Sequence, residues 1–254
     1  HNEWDIVWNS GGGPYDMDYN KDVLILSGAN NEAYVLSLMT ASQTTTTITN
    51  NRSHVWVNSV TGTTTIKGAN GNMNLPYQTI QLGMDAVVPG GTVYVAAGTY
   101  PVPVSITKSV NLLGAQKDVA VSGRTAGDGS EAAIQGLVSV AASDVVINGF
   151  TLTNPGATYA VNINNASNGV TISHNMVNDV GATTLSSNVH AIVFQNGADN
   201  ISIFNNKFSN INANAKSVSA VSALDSSAVN TSTGVVISGN TFTNIASVTK
   251  GAYA

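Results

Sequence analysis

The sequence contains no cysteine among its 254 residues. A disulfide framework and a thiolate metal site are therefore excluded, and cysteine usage does not indicate the redox compartment. At this length one large all-β domain with a continuous core is sufficient, and a second domain is not required.

Charged residues are also scarce. They make up 9% of the chain, and the net charge is −5. This leaves no basic face for a phosphate backbone, so no nucleic-acid partner is expected. No apolar run approaches the roughly 18 residues that a membrane-spanning helix needs. The chain opens at His1 without Met or a basic and apolar leader, so we expect a mature, soluble product of processing or subcloning.

Asn, Ser, Thr, Gly, Ala and Val dominate the composition, whereas Lys and Glu are few. This bias is common in secreted β-rich proteins and indicates an extracellular or cell-surface location, although a β-helix composition would explain it equally well. N-x-[ST] sequons begin at Asn51, Asn165, Asn200 and Asn230. In so Asn-rich a chain their number is close to chance, and they carry no argument for glycosylation.

One phrase recurs along the second half of the chain. Its copies read VVINGFTLTNP, VTISHNMVNDV, ISIFNNKFSNI and VVISGNTFTNI, starting at Val145, Val170, Ile201 and Val235. Intervals of 25 to 34 residues between copies are typical of a solenoid. The segments are short, β-branched and alternate with period two, and no helical stretch of about 10 to 15 residues separates them. We therefore predict an all-β solenoid in which each copy belongs to one coil.

Stacking the copies predicts which side chains point inward. Two interior columns are expected, one of Ile147, Ile172, Ile203 and Ile237 and one of Leu152, Val177, Phe208 and Phe242. A single coil could not bury such a face alone, so neighbouring coils must cover one another.

The same alignment stacks amide side chains. Two ladders are predicted, one of Asn175, Asn206 and Asn240 and one of Asp179, Asn210 and Asn244. Stacked amides can hydrogen-bond along the solenoid axis, and Asn tolerates the left-handed backbone that a bend needs. We interpret these residues as structural; the alternative is that Asn merely fills the turns.

A different pattern, LPYQTIQLGMDAVVPGGTVYVAAGTY, precedes the repeats. Apolar residues on one side of Tyr77 to Val88 predict a short helix, which Pro89-Gly90-Gly91 would end. Thr92 to Ala96 then alternates as a strand.

This segment resembles the start of right-handed parallel β-helix proteins of the pectate-lyase-like superfamily, in which a short amphipathic helix covers the N-terminal end. HVWVNSVTG, His54 to Gly62, resembles the strand before that helix. The resemblance extends to Tyr253 and implies a right-handed parallel β-helix over residues 54–254 with an N-terminal capping helix. Residues 1–53 hold two apolar runs split by a hairpin signal and would form an N-terminal β-rich cap or linker segment.

The fold by itself does not indicate an activity, since it serves lyases, hydrolases, epimerases and inert surface proteins. A lyase of this type needs a carboxylate cluster for Ca²⁺ and an Arg or Lys base. The acidic residues of the coils are neither two apart on one strand nor aligned on successive strands. Motifs of the related families, such as WIDH, DPHE, GHG, RIK and QDTL, are absent.

The remaining catalytic candidates are His174, Lys207 and His190, with Asp179 nearby in sequence. A histidine in a repeat loop is more often a solvated turn residue than a general base, and Asp179 occupies a bend position. Arg124 is the only candidate in the coils for clamping a sugar carboxylate. Gly127 to Glu131 would suit a Ca²⁺-binding turn, although a plain glycine-rich loop explains the pattern better.

Two further sets of candidates lie in the first 53 residues. Trp4 and Trp8 are spaced to share one face of a strand, where they would stack on sugar rings or form the core of a cap. Asp16, Asp18, Asn20 and Asp22 alternate as in part of a calcium loop, but Lys21 stands where that loop has Gly and no Glu follows at the twelfth position. No cofactor is expected, with Ca²⁺ as the one open alternative.

These observations favour a non-catalytic extracellular β-helix that acts as a surface-layer, adhesin or filament subunit and binds polysaccharide. The alternative is a carbohydrate-active enzyme, a polysaccharide lyase or hydrolase, whose motifs have diverged or lie outside this sequence. Few charges follow Ile245, the end of the last full copy, so we expect the C-terminal coil to associate with another subunit or to continue in a longer chain.

Overall fold

The structure is a computed structural model that describes residues 25–26, 49–50, 52–64, 71–164, 167–224, 231–248 and 252–253. The candidates of the first 53 residues, Trp4, Trp8, Asp16, Asp18, Asn20 and Asp22, lie outside the described residues.

The described chain is an all-β parallel β-helix. Before the coils come β1 (Ile25–Leu26), β2 (Thr49–Asn50), β3 (Arg52–Val57) and the helix α1 (Ile80–Ala86). The coils follow as β4 (Val87–Val95), β5 (Gly98–Tyr100) and β6 (Val104–Ile106); β7 (Val110–Leu113), β8 (Ala132–Gln135) and β9 (Val138–Val140); β10 (Val145–Asn148), β11 (Phe150–Pro155) and β12 (Val161–Ile163); β13 (Thr171–Ser173), β14 (Met176–Gly181) and β15 (Val189–Gln195); β16 (Ser202–Phe204), β17 (Lys207–Ala213) and β18 (Val218–Leu224); and β19 (Val236–Ser238), β20 (Thr241–Ser247) and β21 (Ala252–Tyr253).

Successive coils add one strand to each of three parallel sheets. Sheet 1 has the order β19-β16-β13-β10-β7-β4-β3, sheet 2 the order β20-β17-β14-β11-β8-β5, and sheet 3 the order β21-β18-β15-β12-β9-β6. Strands β1 and β2 form a separate parallel pair. No helix in the described ranges has the length and apolarity that crossing a membrane requires.

The predicted interior columns are confirmed by the strand register. In sheet 1, Ile147 pairs with Ile172, which pairs with Ile203 and so on to Ile237. In sheet 2 the column runs Leu152, Val177, Phe208 and Phe242. The column members before the last coil are fully buried, and the rings of Phe208 and Phe242 stack with centroids 5.1 Å apart. The core is therefore one apolar column along the axis, as repetition of a coil requires.

The predicted helix forms, but it is shorter than expected. It begins at Ile80, where the Thr79 hydroxyl accepts the N–H of Leu82 at 3.3 Å, and it buries Ile80 and Met84. It ends before Val87, whose backbone is extended.

The expectation of a capping helix is not met, since no helical cap is evident. The helix packs against β3, β4 and β6, and the edge of sheet 1 at this end is covered by β3, which pairs in parallel with β4. The strand that was expected to begin at Thr92 begins at Val87, because Pro89-Gly90-Gly91 lies within an irregularity of the β3–β4 register. A bulge tolerates a proline and a glycine with φ of +78° at Gly90 without breaking the strand.

Both stacked bends contain residues with left-handed backbone. In the second ladder these are the ladder residues themselves, whereas in the first ladder they are the residues before them. Asp179, Asn210 and Asn244 have φ of 54°, 57° and 52°, as the second predicted ladder requires. In the first ladder the left-handed residues stand one position before the stacked Asn, at His174 and Asn205. The buried Asn is thereby free to use its side chain for hydrogen bonds, while the less buried residue before it makes the turn.

Candidate functional site

The first Asn ladder is a buried hydrogen-bonded column at the bend between sheets 1 and 2. Asn175 and Asn206 have no exposed surface. The Oδ1 of Asn206 accepts hydrogen bonds from the backbone N–H of Asn175 at 2.9 Å and from the Nδ2 of Asn175 at 3.1 Å. The Oδ1 of Asn240 accepts hydrogen bonds from the same two groups of Asn206. Each Nδ2 also donates to a strand carbonyl, for example that of Ile172 at 2.9 Å. These amides satisfy backbone groups that the bend would otherwise leave unpaired in the interior.

The second ladder is exposed and includes the acidic candidate Asp179. Its Oδ1 accepts the Nδ2 of Asn210 at 3.0 Å, and its Oδ2 accepts the Nδ2 of Asn178 at 2.6 Å. Asn244 continues the ladder by donating to Asn210 at 2.7 Å. Asp179 is thus engaged on both oxygens as a bend residue.

The structure brings His174 and Lys207 together in one cleft of about 510 Å³ but places His190 elsewhere. Lys207 pairs with Met176 and Thr241 on successive strands of sheet 2. The His174 Nε2 lies 3.5 Å from the Nδ2 of Asn205, and within the described part of the chain its buried Nδ1 has no hydrogen-bond partner. A general-base histidine is commonly oriented by an acceptor on its other ring nitrogen, and among the described residues the Nδ1 of His174 has no such acceptor.

His190 lies on β15 in sheet 3, away from that cleft. Its Nδ1 is 2.6 Å from the Oγ of Ser219, and its ring stacks on Tyr159 with centroids 6.1 Å apart. Burial lowers the pKa of His190, because the protonated ring loses hydration. The three catalytic candidates therefore do not form one constellation.

The loop between β7 and β8, residues 114–131, is held by a buried ion pair. Arg124 makes two parallel hydrogen bonds to Glu131, at 2.9 and 2.6 Å, and the two side chains are 6% and 1% exposed. Arg124 also donates to the carbonyl of His174 at 2.6 Å, and Thr151 donates to Glu131 at 3.0 Å. These contacts hold the loop against the bend between sheets 1 and 2 in the two coils that follow.

This arrangement bears on two candidate roles for the loop. Arg124 is not available to clamp a sugar carboxylate, because its guanidinium is buried and saturated by Glu131 and by carbonyls. Glu131 is likewise unavailable to a calcium turn, since Arg124 and Thr151 occupy its oxygens. Asp128, which is exposed, accepts the Ser130 hydroxyl and N–H, and these hydrogen bonds lower the pKa of its carboxyl.

An aromatic cluster that the sequence patterns did not single out lies on the outer face of sheet 1. Trp56 and Tyr94 are paired residues of β3 and β4, half-exposed, with ring centroids 5.2 Å apart and planes 26° apart. His54 stacks on Tyr94 at 6.1 Å with nearly parallel rings. The alternation in HVWV and TVYV was the available signal, because it turns Trp56 and Tyr94 to the outside while their valine neighbours enter the core.

The aromatic cluster borders a cleft of about 360 Å³. Its wall includes Leu113, which pairs with Tyr94 on the adjacent strand β7, and Met73, which is 70% exposed. Asn58 and Lys117 supply the polar rim. The cleft thus combines flat aromatic faces with side chains that can hydrogen-bond a hydroxyl-rich ligand.

The described residues include no group of three or more His, Asp or Glu side chains placed to hold a metal ion. Comparisons with protein-family models, with curated proteins and with solved structures found no match for this chain. Function is therefore inferred from the contacts of the chain itself.

Proposed function

We propose that this protein is a non-catalytic extracellular β-helix that binds polysaccharide, in the manner of an adhesin or surface-layer component. The observation that carries the proposal is the stacked pair Trp56 and Tyr94 beside an open cleft. The scarcity of charge and the Asn- and Thr-rich composition support an extracellular location.

Aromatic rings suit saccharides for a physical reason. One face of a sugar ring carries C–H groups and packs against an aromatic face, while the hydroxyls around the ring need hydrogen-bond partners. Trp56 and Tyr94 offer adjacent faces held in register by two parallel strands. Since the strands fix the spacing of the rings, little ordering is needed on binding, and the loss of entropy is small.

The test is binding to a panel of neutral and acidic polysaccharides by affinity electrophoresis. Tyr94→Ala is expected to weaken binding at least about tenfold, because it removes roughly 1.5–3 kcal/mol of apolar burial. Tyr159→Ala is the matched control, since Tyr159 is also half-exposed and stacked on a histidine, but on sheet 3. Equal loss in both variants, or no binding to any polysaccharide, would contradict the proposal.

A second role, self-association through the end of the solenoid, is favoured by the last described coil. In the described part of the chain β19, β20 and β21 pair on one side only. Val236 and Ile237 of β19 are 52% and 48% exposed. An apolar strand edge of this kind pairs readily with further β-structure. We propose that it docks on a second copy, giving filaments or layers, or on further coils of a longer chain.

Sedimentation over a wide concentration range tests this role. The mean mass is expected to rise with concentration and to stay low for Ile237→Lys, because a charge on the edge opposes pairing. Val119→Lys is the control, since Val119 is 43% exposed but lies in the β7–β8 loop. A particle that remains monomeric at every concentration, with its C-terminal residues folded over β19, would contradict it.

We further propose that the solenoid is right-handed and of the pectate-lyase-like type. Three parallel sheets support this proposal, as does the sequence from TIQ at Thr79 to GTY at Tyr100. An experimental structure that showed left-handed winding would contradict it.

A further inference from the structure

The cleft that contains Lys207 continues on both sides of this residue. One lobe, of about 510 Å³, lies between the β7–β8 loop and the bend residues His174 and Asn205. A second lobe, of about 330 Å³, lies beside Arg124 and Asn178. Lys207 lines both lobes and therefore lies between them.

The β7–β8 loop explains why the cleft has this position. On the outer face of sheet 2, Met176 and Lys207 are neighbours in register. Met176 is 2% exposed and lines the lobe beside the loop, whereas Lys207 on the next coil is only half-buried. The β7–β8 loop therefore covers the outer face of sheet 2 as far as Met176. Lys207, on the next coil, lies at the edge of the loop.

The ionisable residues that line the cleft are all basic, and the carboxylate of Asp179, just outside the smaller lobe, is held by Asn178 and Asn210 of its lining. The two lobes are lined by no carboxylate, and their ionisable residues are Lys207, His174 and Arg124. Arg124 is neutralised by Glu131 behind the cleft wall. Among the described residues the Nζ of Lys207 has neither a hydrogen-bond nor an ion-pair partner. In a protein of net charge −5 this is a local positive site.

Two hydroxyl groups in the larger lobe are available to a ligand, in addition to the ammonium of Lys207. Ser122 and Thr241 line the larger lobe, and within the described residues neither hydroxyl has a hydrogen-bond partner. Thr241 pairs with Lys207 on the adjacent strand, so its side chain and the ammonium share the outer face of sheet 2. One cation with several neutral donors and acceptors matches a ligand that carries a single negative charge and many hydroxyls.

We propose that this cleft binds a singly charged anionic saccharide, with Lys207 pairing to its carboxylate or sulfate ester. The larger lobe has the volume of a small-molecule site, and Ser122 and Thr241 in its lining supply hydroxyls that can hydrogen-bond a sugar. Phosphate is a poorer match, because a dianion is usually held by several cations or backbone N–H groups. The site is separate from the aromatic cluster on sheet 1 and does not depend on the function proposed there.

The test is NMR titration of the full chain with three probes: glucuronate, glucose 6-sulfate and glucose. The two anions are expected to shift the amide signals of Lys207 and Thr241, and glucose to bind at least about fivefold more weakly, because only the anions pair with the ammonium. Raising the salt concentration is expected to weaken the binding of both anions. Preference for one anion identifies whether the carboxylate or the sulfate ester is the recognised group.

The variants separate charge from structure. Lys207→Gln is expected to lower the affinity for the anions to that for glucose, whereas Lys207→Arg retains most of it. Lys216→Gln is the matched control, since Lys216 is exposed and lines neither lobe. Tyr94→Ala is expected to leave anion binding unchanged, so failure of the polysaccharide proposal and failure of this one are distinguishable. Equal binding of glucose, unchanged affinity in Lys207→Gln, or no shifts in the unmodified chain would overturn the proposal.

Discussion

Replacing Asn206 by Ala is expected to destabilise the β-helix by about 2–4 kcal/mol, because it removes hydrogen bonds from the middle of the buried ladder. The Oδ1 of Asn206 accepts both the backbone N–H and the Nδ2 of Asn175. Its Nδ2 donates to the carbonyls of Ile172 and Phe204 and to the Oδ1 of Asn240. The side chain has no exposed surface, so water does not reach these partners in the native state.

The magnitude follows from the groups left behind. The N–H of Asn175 loses its acceptor, and an unsatisfied buried donor costs about 1–3 kcal/mol. The carbonyls and the Oδ1 of Asn240 lose one bond each at roughly 0.5–1.5 kcal/mol, but Asn240 keeps its bond from the N–H of residue 206, and relaxation of the bend offsets part of the rest.

Urea unfolding of Asn206→Ala and of the adjacent Asn205→Gly checks this prediction. Asn205 is exposed with φ of 54°, so glycine fits its backbone and the control is expected to stay within about 0.5 kcal/mol of the parent. Because coils of a solenoid can open separately, hydrogen exchange at the Asn175 amide is measured as well. A loss below about 1 kcal/mol with unchanged protection of that amide would refute the reasoning.

Four further predictions follow from other contacts. Phe208→Ala is expected to cost about 3–5 kcal/mol in urea unfolding and Phe242→Ala less, because the first ring is fully buried and the second partly exposed; equal small losses would mean that the register is wrong. Glu131→Gln is expected to cost about 3–5 kcal/mol by leaving the Arg124 guanidinium buried without its carboxylate, and to make the 114–131 loop sensitive to protease; a protease-resistant loop would contradict this. Since burial lowers the pKa of His190, the unfolded chain binds more protons below its ordinary pKa of about 6.5, so stability is expected to fall as the pH drops from about 6.5 toward the lowered value. His190→Gln is expected to reduce the pH dependence of the urea midpoint over this range. An unchanged pH dependence would refute the assignment of this effect to His190. Uronate polymers incubated with the chain and Ca²⁺ are expected to give no unsaturated product absorbing in the ultraviolet, and turnover that is lost in Lys207→Gln would overturn the non-catalytic function.

Two errors of the sequence-based predictions arise because contacts distant in sequence override local preferences. The helix was expected to extend from Tyr77 to Val88, but β4 already begins at Val87 because pairing with β3 favours an extended backbone there. Propensity is a local preference, and a neighbouring strand overrides it. The left-handed residue at His174 was also misplaced, because the buried Asn175 is needed as a hydrogen-bond partner rather than as the turning residue.

Repetition in the sequence determined the solenoid and its register. A strand turns alternate side chains inward, and a slip by one residue would expose the whole apolar set, so the columns through Ile172 and Phe208 permit a single alignment. The same alignment placed Asn175 beside Asn206, although 31 residues separate them, because stacked coils repeat the bend. The inward half of the structure was thus readable from the sequence.

The surroundings of the outward-facing side chains of the sheets were decided by tertiary structure. The two-residue alternation of the strands predicts that Trp56, Tyr94 and Lys207 face outward, but it does not predict which residues lie beside them. Trp56 and Tyr94 meet because β3 precedes the first coil and pairs with β4, and the cleft at Lys207 exists because Arg124, held by Glu131, reaches the carbonyl of His174 fifty residues away. Interior contacts repeat from coil to coil and leave a pattern in the sequence, whereas a loop that folds over the surface makes its contacts once and leaves none.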